Sequence, residues 1–233
     1  MKILIIIPAF NEESCIKNTV QNIINLHNKN IDYIVINDCS YDNTLRILKD
    51  NNFNYINLPQ NLGIGGAVQS GYRYALQNNY DIAIQFDGDG QHNSVSIENM
   101  IKEISAGSNM VIGSRFINSG IGFKSTKSRR IGIKFLSKLI ALCTGEKITD
   151  PTSGFRACDK EIIKMFSKDY PTDYPEPDTI VKIIKSKYSV KEIPTVMNER
   201  VSGKSSINAL KSIYYMIKVS LSIIIASISG KEE

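Results

Sequence analysis

The chain has 233 residues, 42% of them apolar and 22% charged, with a formal net charge of +5. That composition suits one packed α/β domain with a C-terminal appendage and argues against a disordered chain. Cys15, Cys39, Cys143 and Cys158 lack CxxC spacing, and with His27 and His92 as the remaining soft donors they point to free thiols in a reducing cytoplasm rather than a zinc site.

Ile3 to Ile7 is a continuous apolar run ended by Pro8. It is too short for a secretory signal and reads as a first strand buried on both faces. Glu12 to Leu26 has helical spacing, with Ile16, Val20, Ile23 and Ile24 on one face. Tyr33 to Ile36 is the next strand, Asn43 to Lys49 a short helix, and Asn54 to Leu58 a third strand. Gly65 to Gln77 is a helix with Ala67, Val68, Gly71, Tyr74 and Ala75 inward. Asp81 to Phe86 and Asn109 to Ile112 complete the strands of the first half. Further on, Ser128 to Leu142 reads as a helix, Asp150 to Arg156 as a loop, Asp178 to Ser186 as a helix and Tyr188 to Val196 as a strand. Asn198 to Ser206 is a polar stretch, and Ile207 to Ser229 is a last long helix. Repeated βα units predict a mostly parallel sheet with right-handed crossovers, whose ligands lie beyond the C-terminal strand ends.

Those strand ends carry the polar motifs. Pro8-Ala9-Phe10-Asn11-Glu12-Glu13 follows the first strand and Asn37-Asp38-Cys39-Ser40 the second. Asn61-Leu62-Gly63-Ile64-Gly65-Gly66-Ala67 follows the third, and Phe86-Asp87-Gly88-Asp89-Gly90-Gln91-His92 the fourth. Each alone is explained by a turn or a helix cap. Four on one edge are not. Asp87 and Asp89 stand two residues apart in extended chain and share a direction, and converging carboxylates suit a hard divalent cation with phosphate oxygens as further ligands.

With these motifs, and with Gly113-Ser114-Arg115-Phe116, the chain strongly resembles the family 2 glycosyltransferases of GT-A fold over roughly Ile3 to Ser206. Asp150-Pro151-Thr152-Ser153-Gly154-Phe155-Arg156 and Arg200-Val201-Ser202-Gly203-Lys204-Ser205-Ser206 are similar to the polyprenyl-phosphate sugar synthase branch. The resemblance implies an α/β, Rossmann-like fold with residues 1–206 as catalytic domain and residues 207–233 as a membrane-interface or partner-binding helix. It implies that Asp38 pairs with uracil and Glu12 with ribose, that Pro8 and Phe10 wall the nucleotide, and that Gly63 and Gly88 lie along it. Asp87, Asp89 and Gln91 would hold Mg²⁺ or Mn²⁺ on the diphosphate, with Arg200 and Lys204 closing over it. Arg115, Arg129 and Arg130 would take a lipid phosphate. Asp89, Arg115 and Asp150 are the candidate catalytic residues, with Asp150 expected to anchor a loop or orient the acceptor site. The chain departs from many relatives at Asn37, where they have Asp, and at Ser206, where they have Lys.

The implied reaction is attack of a polyprenyl phosphate on a UDP-sugar, UDP-GlcNAc or UDP-Glc being favoured, with inversion, to supply cell-envelope glycan synthesis. An acceptor phosphate with a second pKa of about 6 is already ionised and needs no general base. A sugar-hydroxyl acceptor would need one, and Asp150 and Glu176 are the candidates. A non-catalytic nucleotide-sugar-binding subunit is the third reading, from another class.

Phe116 to Gly145 contains no acidic residue. On a helix, Lys127, Arg130, Lys134 and Lys138 form one stripe beside Ile131, Phe135, Leu139 and Leu142, with Arg129 on the side away from that stripe. An ordinary amphipathic helix and a helix at an anionic bilayer both fit. The last helix repeats Ile207, Leu210, Tyr214, Ile217, Leu221, Ile224 and Ile228, interrupted by Lys211 and Lys218. It is expected at the interface of the cytoplasmic membrane face, or against a small integral membrane protein or a second copy, rather than across the bilayer. Nucleic acid is not an expected partner.

Overall fold

The computed structural model describes residues 1–88, 95–117, 127–195 and 209–228. The opening apolar run forms β1 (Ile3–Ala9), buried along its whole length. Alternation along the strand sends Leu4 and Ile6 into one core and Ile3, Ile5 and Ile7 into the other. Two buried faces are why this strand reads as an unbroken apolar run.

In chain order β1 is followed by α1 (Ile16–Ile24), β2 (Ile31–Asn37), α2 (Thr44–Asp50), β3 (Tyr55–Asn57), α3 (Gly63–Gln77) and β4 (Ile82–Gln85). Next come α4 (Val95–Ser105), β5 (Met110–Ser114), α5 (Lys127–Thr144), β6 (Arg156–Asp159) and α6 (Lys160–Lys168). The chain ends with α7 (Pro175–Lys185), β7 (Val190–Pro194) and α8 (Ala209–Ile228). The strands form one sheet in the order β3-β2-β1-β4-β6-β5-β7. β6 runs antiparallel to β4 and β5, and the other pairings are parallel. The C-terminal ends of β1, β2, β4 and β5 therefore share one edge, as the βα alternation predicts. One core lies under α1, α2 and α4; the other lies under α3, α5, α6, α7 and α8.

Several expectations are corrected. The first helix starts at Ile16, not Glu12: the Glu12 carbonyl accepts from the N–H groups of Cys15 and Ile16, so the acidic pair forms the turn entering the helix. On α3 the fully buried aromatic is Tyr72, which the sequence reading passed over; Tyr74 is partly buried and packs on the same core. Tyr72 packs on Phe166 and Tyr170, partners that no local pattern announces. The elements α4, β6 and α6 have no counterpart in the sequence reading. β6 escapes it because a four-residue strand held between two others needs no alternation of its own. Asp159 then ends β6 and caps α6, its carboxylate accepting from Ile162 N–H at 3.0 Å.

The helices α5 and α8 each carry apolar residues on two faces, and only one face of each is inside. α5 buries Ile133, Leu136 and Ile140, and leaves Ile131, Phe135 and Leu142 exposed beside the exposed cations Arg130, Lys134 and Lys138. α8 buries Val219, Ile223 and Ala226. Its larger apolar stripe, Tyr214, Ile217, Leu221, Ile224, Ile225 and Ile228, is turned outward. α8 is also tied to α7, where Ser222 donates to Asp178 at 2.8 Å. Among the described residues no helix is long and apolar enough to cross a membrane.

Candidate active site

The loops after β1 and β2 are laced together. Asn11 N–H donates to Ser40 Oγ at 2.9 Å, and Tyr41 N–H donates back to Asn11 Oδ1 at 3.0 Å. Glu12 N–H donates to Thr44 Oγ1 at 2.8 Å. Asn11 and Cys39 both hold left-handed backbone, at φ 56° and 58°. Non-glycine residues adopt that region reluctantly, and the surrounding hydrogen bonds keep them there. Pro8 is buried in β1, whereas Phe10 is exposed and meets Tyr41 edge-on, centroids 5.7 Å apart. Glu12 is half-exposed at the same edge.

Asp38 is buried just beyond β2. Its N–H donates to the Ala9 carbonyl at 2.9 Å, and its Oδ1 accepts from Leu62 N–H at 2.7 Å. The start of α3 is thereby pinned to the end of β2, and Gly63 there takes φ 74°. Asn37 has a structural account. Its amide donates to Asn57 Oδ1 at 2.5 Å across the β2–β3 register, which an aspartate could not do.

Asp87 follows β4 and is half-exposed. The buried Gln85 donates to its Oδ1 at 3.3 Å, and Gln85 Oε1 has no hydrogen-bond partner among the described residues. Gly88 is buried against β1, and its carbonyl accepts from Thr19 at 3.1 Å. Gly154 lies over the same carboxylate: a Cβ there would stand 2.9 Å from Gln85 Nε2 and 3.1 Å from Asp87 Oδ2. Glycine is therefore required for a close approach rather than for an unusual φ. Asp89 and Gln91, expected beside Asp87, lie outside the described residues, as do Arg200 and Lys204.

Arg115 and Asp150 form a buried, two-pronged ion pair. Arg115 Nε donates to Asp150 Oδ2 at 2.6 Å and Nη2 to Oδ1 at 2.6 Å, with Nη2 also reaching Thr152 Oγ1 at 2.7 Å. Asp150 is fully buried, so its carboxylate holds Arg115 rather than facing solvent. Glu192 of β7 fixes this loop by accepting from the N–H groups of Thr149 at 2.7 Å and Asp150 at 2.9 Å. Arg129 and Arg130 are exposed at the start of α5.

The sequence reading missed Arg156, Gln85 and Gly154 as site residues. Arg156 is fully buried, and its guanidinium donates to the Ser153 carbonyl at 2.7 Å, Thr179 Oγ1 at 2.8 Å and the Pro151 carbonyl at 3.3 Å. It shapes the loop that carries Asp150 and Gly154 and ties it to α7. A charge inside the apolar run Phe155 to Cys158, and an amide ending the apolar run Ile82 to Gln85, were the available signals. Glu176, at the start of α7, has its carboxyl raised by burial, countered by Arg156 and raised further by Asp87. Asp87, Arg156, Arg115 and Glu176 thus lie within one electrostatic neighbourhood.

Comparison with known proteins agrees with this geometry. The family model for glycosyl transferase family 2 matches residues 4–166. The UDP-N-acetylglucosamine–dolichyl-phosphate N-acetylglucosaminyltransferase of Methanococcus voltae is 34% identical over 82% of this chain and 84% of its own length. The polyprenol monophosphomannose synthase of Mycolicibacterium smegmatis is 25% identical over 93% of this chain and 84% of its own length. Among solved structures, glucosyl-3-phosphoglycerate synthase of Mycobacterium tuberculosis, in complex with Mn²⁺, UDP and phosphoglyceric acid, superposes with a TM-score of 0.74. At 16% identity, with 100% of this chain and 80% of that one covered, this likeness shows the GT-A fold. A sheet with its polar loops on one edge, the family match and these relatives define an enzyme that transfers sugars. The chain belongs to glycosyl transferase family 2.

Proposed function

We propose that this glycosyltransferase moves a sugar from a UDP-sugar, UDP-GlcNAc or UDP-Glc, onto a polyprenyl phosphate at the cytoplasmic face of the membrane. The observation that carries the reading is the outward face of α5, where Ile131, Phe135 and Leu142 stand beside Arg130, Lys134 and Lys138. Cations flanking exposed apolar side chains suit an anionic bilayer, and the apolar stripe of α8 extends that suitability. The two curated relatives carry lipid-phosphate sugar transfer in their names, which supports the same acceptor class.

In this reading Phe10 and Pro8 wall the nucleotide, Glu12 meets the ribose, Asp38 accepts from the uracil, and Gly63 and Gly88 admit the backbone close to it. The donor set at Asp87 fits a hard divalent cation: oxygen ligands, the orphaned Gln85 Oε1 nearby, and Gly154 leaving the carboxylate uncrowded. Asp87, Asp89 and Gln91 would hold Mg²⁺ or Mn²⁺, which when bound neutralises charge on the departing diphosphate. A lipid phosphate oxygen attacks the anomeric carbon and forms the new C–O bond. The bond to UDP breaks with its electron pair leaving on the diphosphate, and the configuration inverts. Arg200 and Lys204 cover that diphosphate. No proton has to be removed, which accords with an Asp150 that is committed to Arg115. Arg115, with Arg129 and Arg130, supplies positive potential for the acceptor.

Glu176 favours a second reading, in which a sugar hydroxyl is the acceptor. A carboxyl raised by burial, on a residue that is itself only partly buried, is suited to accept its proton. Assay with UDP-sugars, Mn²⁺ and either a polyprenyl phosphate or a free glycan separates the two. Product on the lipid phosphate, with Glu176→Gln keeping most of the rate, is the expected result. Product on the glycan alone, abolished in Glu176→Gln, would overturn it.

A further inference from the structure

Tyr215 lies on α8 beside the outward stripe but is itself half-buried. Its ring packs edge-on against Tyr174, with centroids 4.7 Å apart and planes at 82°. Tyr174 immediately precedes α7, so this contact holds Tyr215 close to Glu176 at the helix start. The next residue, Met216, packs on α5: a Cβ at Gly132 would stand 3.3 Å from Met216 Sδ. Gly132 is three residues beyond Arg129, so both lie on the α5 face that meets α8. The helices α5, α7 and α8 therefore meet around Tyr215.

Charges around the hydroxyl agree with that convergence. Burial raises its pKa most, Glu176 raises it further, and Arg129 and Arg115 oppose them, so the group stays a hydrogen-bond donor at neutral pH. Glu176 in turn senses Asp87. Glu176 thus neighbours both Asp87 and Tyr215, and Tyr215 neighbours Arg129. A phosphate that attacks the anomeric carbon from the side opposite UDP arrives at the Tyr215 and Arg129 end.

We propose that the Tyr215 hydroxyl donates a hydrogen bond to the acceptor phosphate beside Arg129. The helix whose outer stripe suits lipid thereby also contributes to the reacting end of the site. This contact rests on the polyprenyl-phosphate reading. Tyr215→Phe removes the donor and keeps the ring on Tyr174. With the full chain and a water-soluble short-chain polyprenyl phosphate, without bilayers, it should raise KM for the acceptor about 10- to 100-fold. UDP affinity by calorimetry and the melting temperature should match the wild type. Tyr214→Phe, on the outward stripe, should leave the acceptor KM unchanged. An unaltered acceptor KM in Tyr215→Phe overturns the contact, and so does a rise confined to KM for the UDP-sugar. A wild type that uses no polyprenyl phosphate removes the acceptor reading and this contact together. An active wild type with an unaffected variant removes this contact alone.

Discussion

The proposed nucleotide side and the proposed acceptor side of this site are built by different means. On the proposed nucleotide side Phe10, Glu12, Asp38 and Asp87 sit within a few positions of a parallel strand's end, and neighbouring loops fix one another through short hydrogen bonds such as Asn11 to Ser40. On the acceptor side Arg115 is held by Asp150, 35 positions away. Asp150 is held by Glu192, 42 positions further on. The contrast separates local from long-range specification. Strand-end loops can be read one motif at a time, whereas a buried ion pair has meaning only once both partners are in place.

The comparison breaks most visibly at Asp87. Asp87→Ala should abolish transfer with circular dichroism unchanged, and Asp89→Ala should do nearly the same. EDTA should stop the wild type, with Mn²⁺ or Mg²⁺ restoring it. Wild-type turnover in a folded Asp87→Ala protein would remove the carboxylate from the site.

On the acceptor side the first casualty should be the fold. Asp150→Ala removes the countercharge from the buried Arg115 guanidinium and should destabilise the protein by about 3–5 kcal/mol. Urea unfolding measures this; a loss below about 1 kcal/mol, the range of exposed pairs, would mean the pair is not desolvated as found.

Asp38→Ala tests the nucleotide side alone. Loss of a hydrogen bond to the uracil should weaken UDP binding by about 1.5–3 kcal/mol in calorimetry. If affinity is unchanged, Asp38 serves only to hold Leu62.

The smallest expected effect belongs to the outer surface. Replacing Lys134 and Lys138 together with Gln should weaken sedimentation with anionic vesicles by about 1 kcal/mol per cation, without altering UDP affinity. Equal binding by both proteins would detach the α5 cations from membrane association. Point changes suit this question better than deleting α8, because Val219, Ile223 and Ala226 are part of the core.

The sequence alone determined the parallel βα order, the functional edge and the motifs on it, because period-two and period-3.6 patterns and strand-end polarity are local properties. Asp38 beyond β2 and Asp87 beyond β4 stand where the pattern predicted. Only the tertiary structure decided which of two apolar faces on α5 and α8 is inside. Both helices carry apolar residues on more than one face, and spacing cannot rank them; contact with α7 and the sheet does. It also decided that β6 enters antiparallel between β4 and β5, so that Arg156 is buried and its loop lies over Asp87. Four residues carry too little pattern to declare their own strand. The two strands that flank them, drawn from distant parts of the chain, supply the hydrogen bonds that make it one.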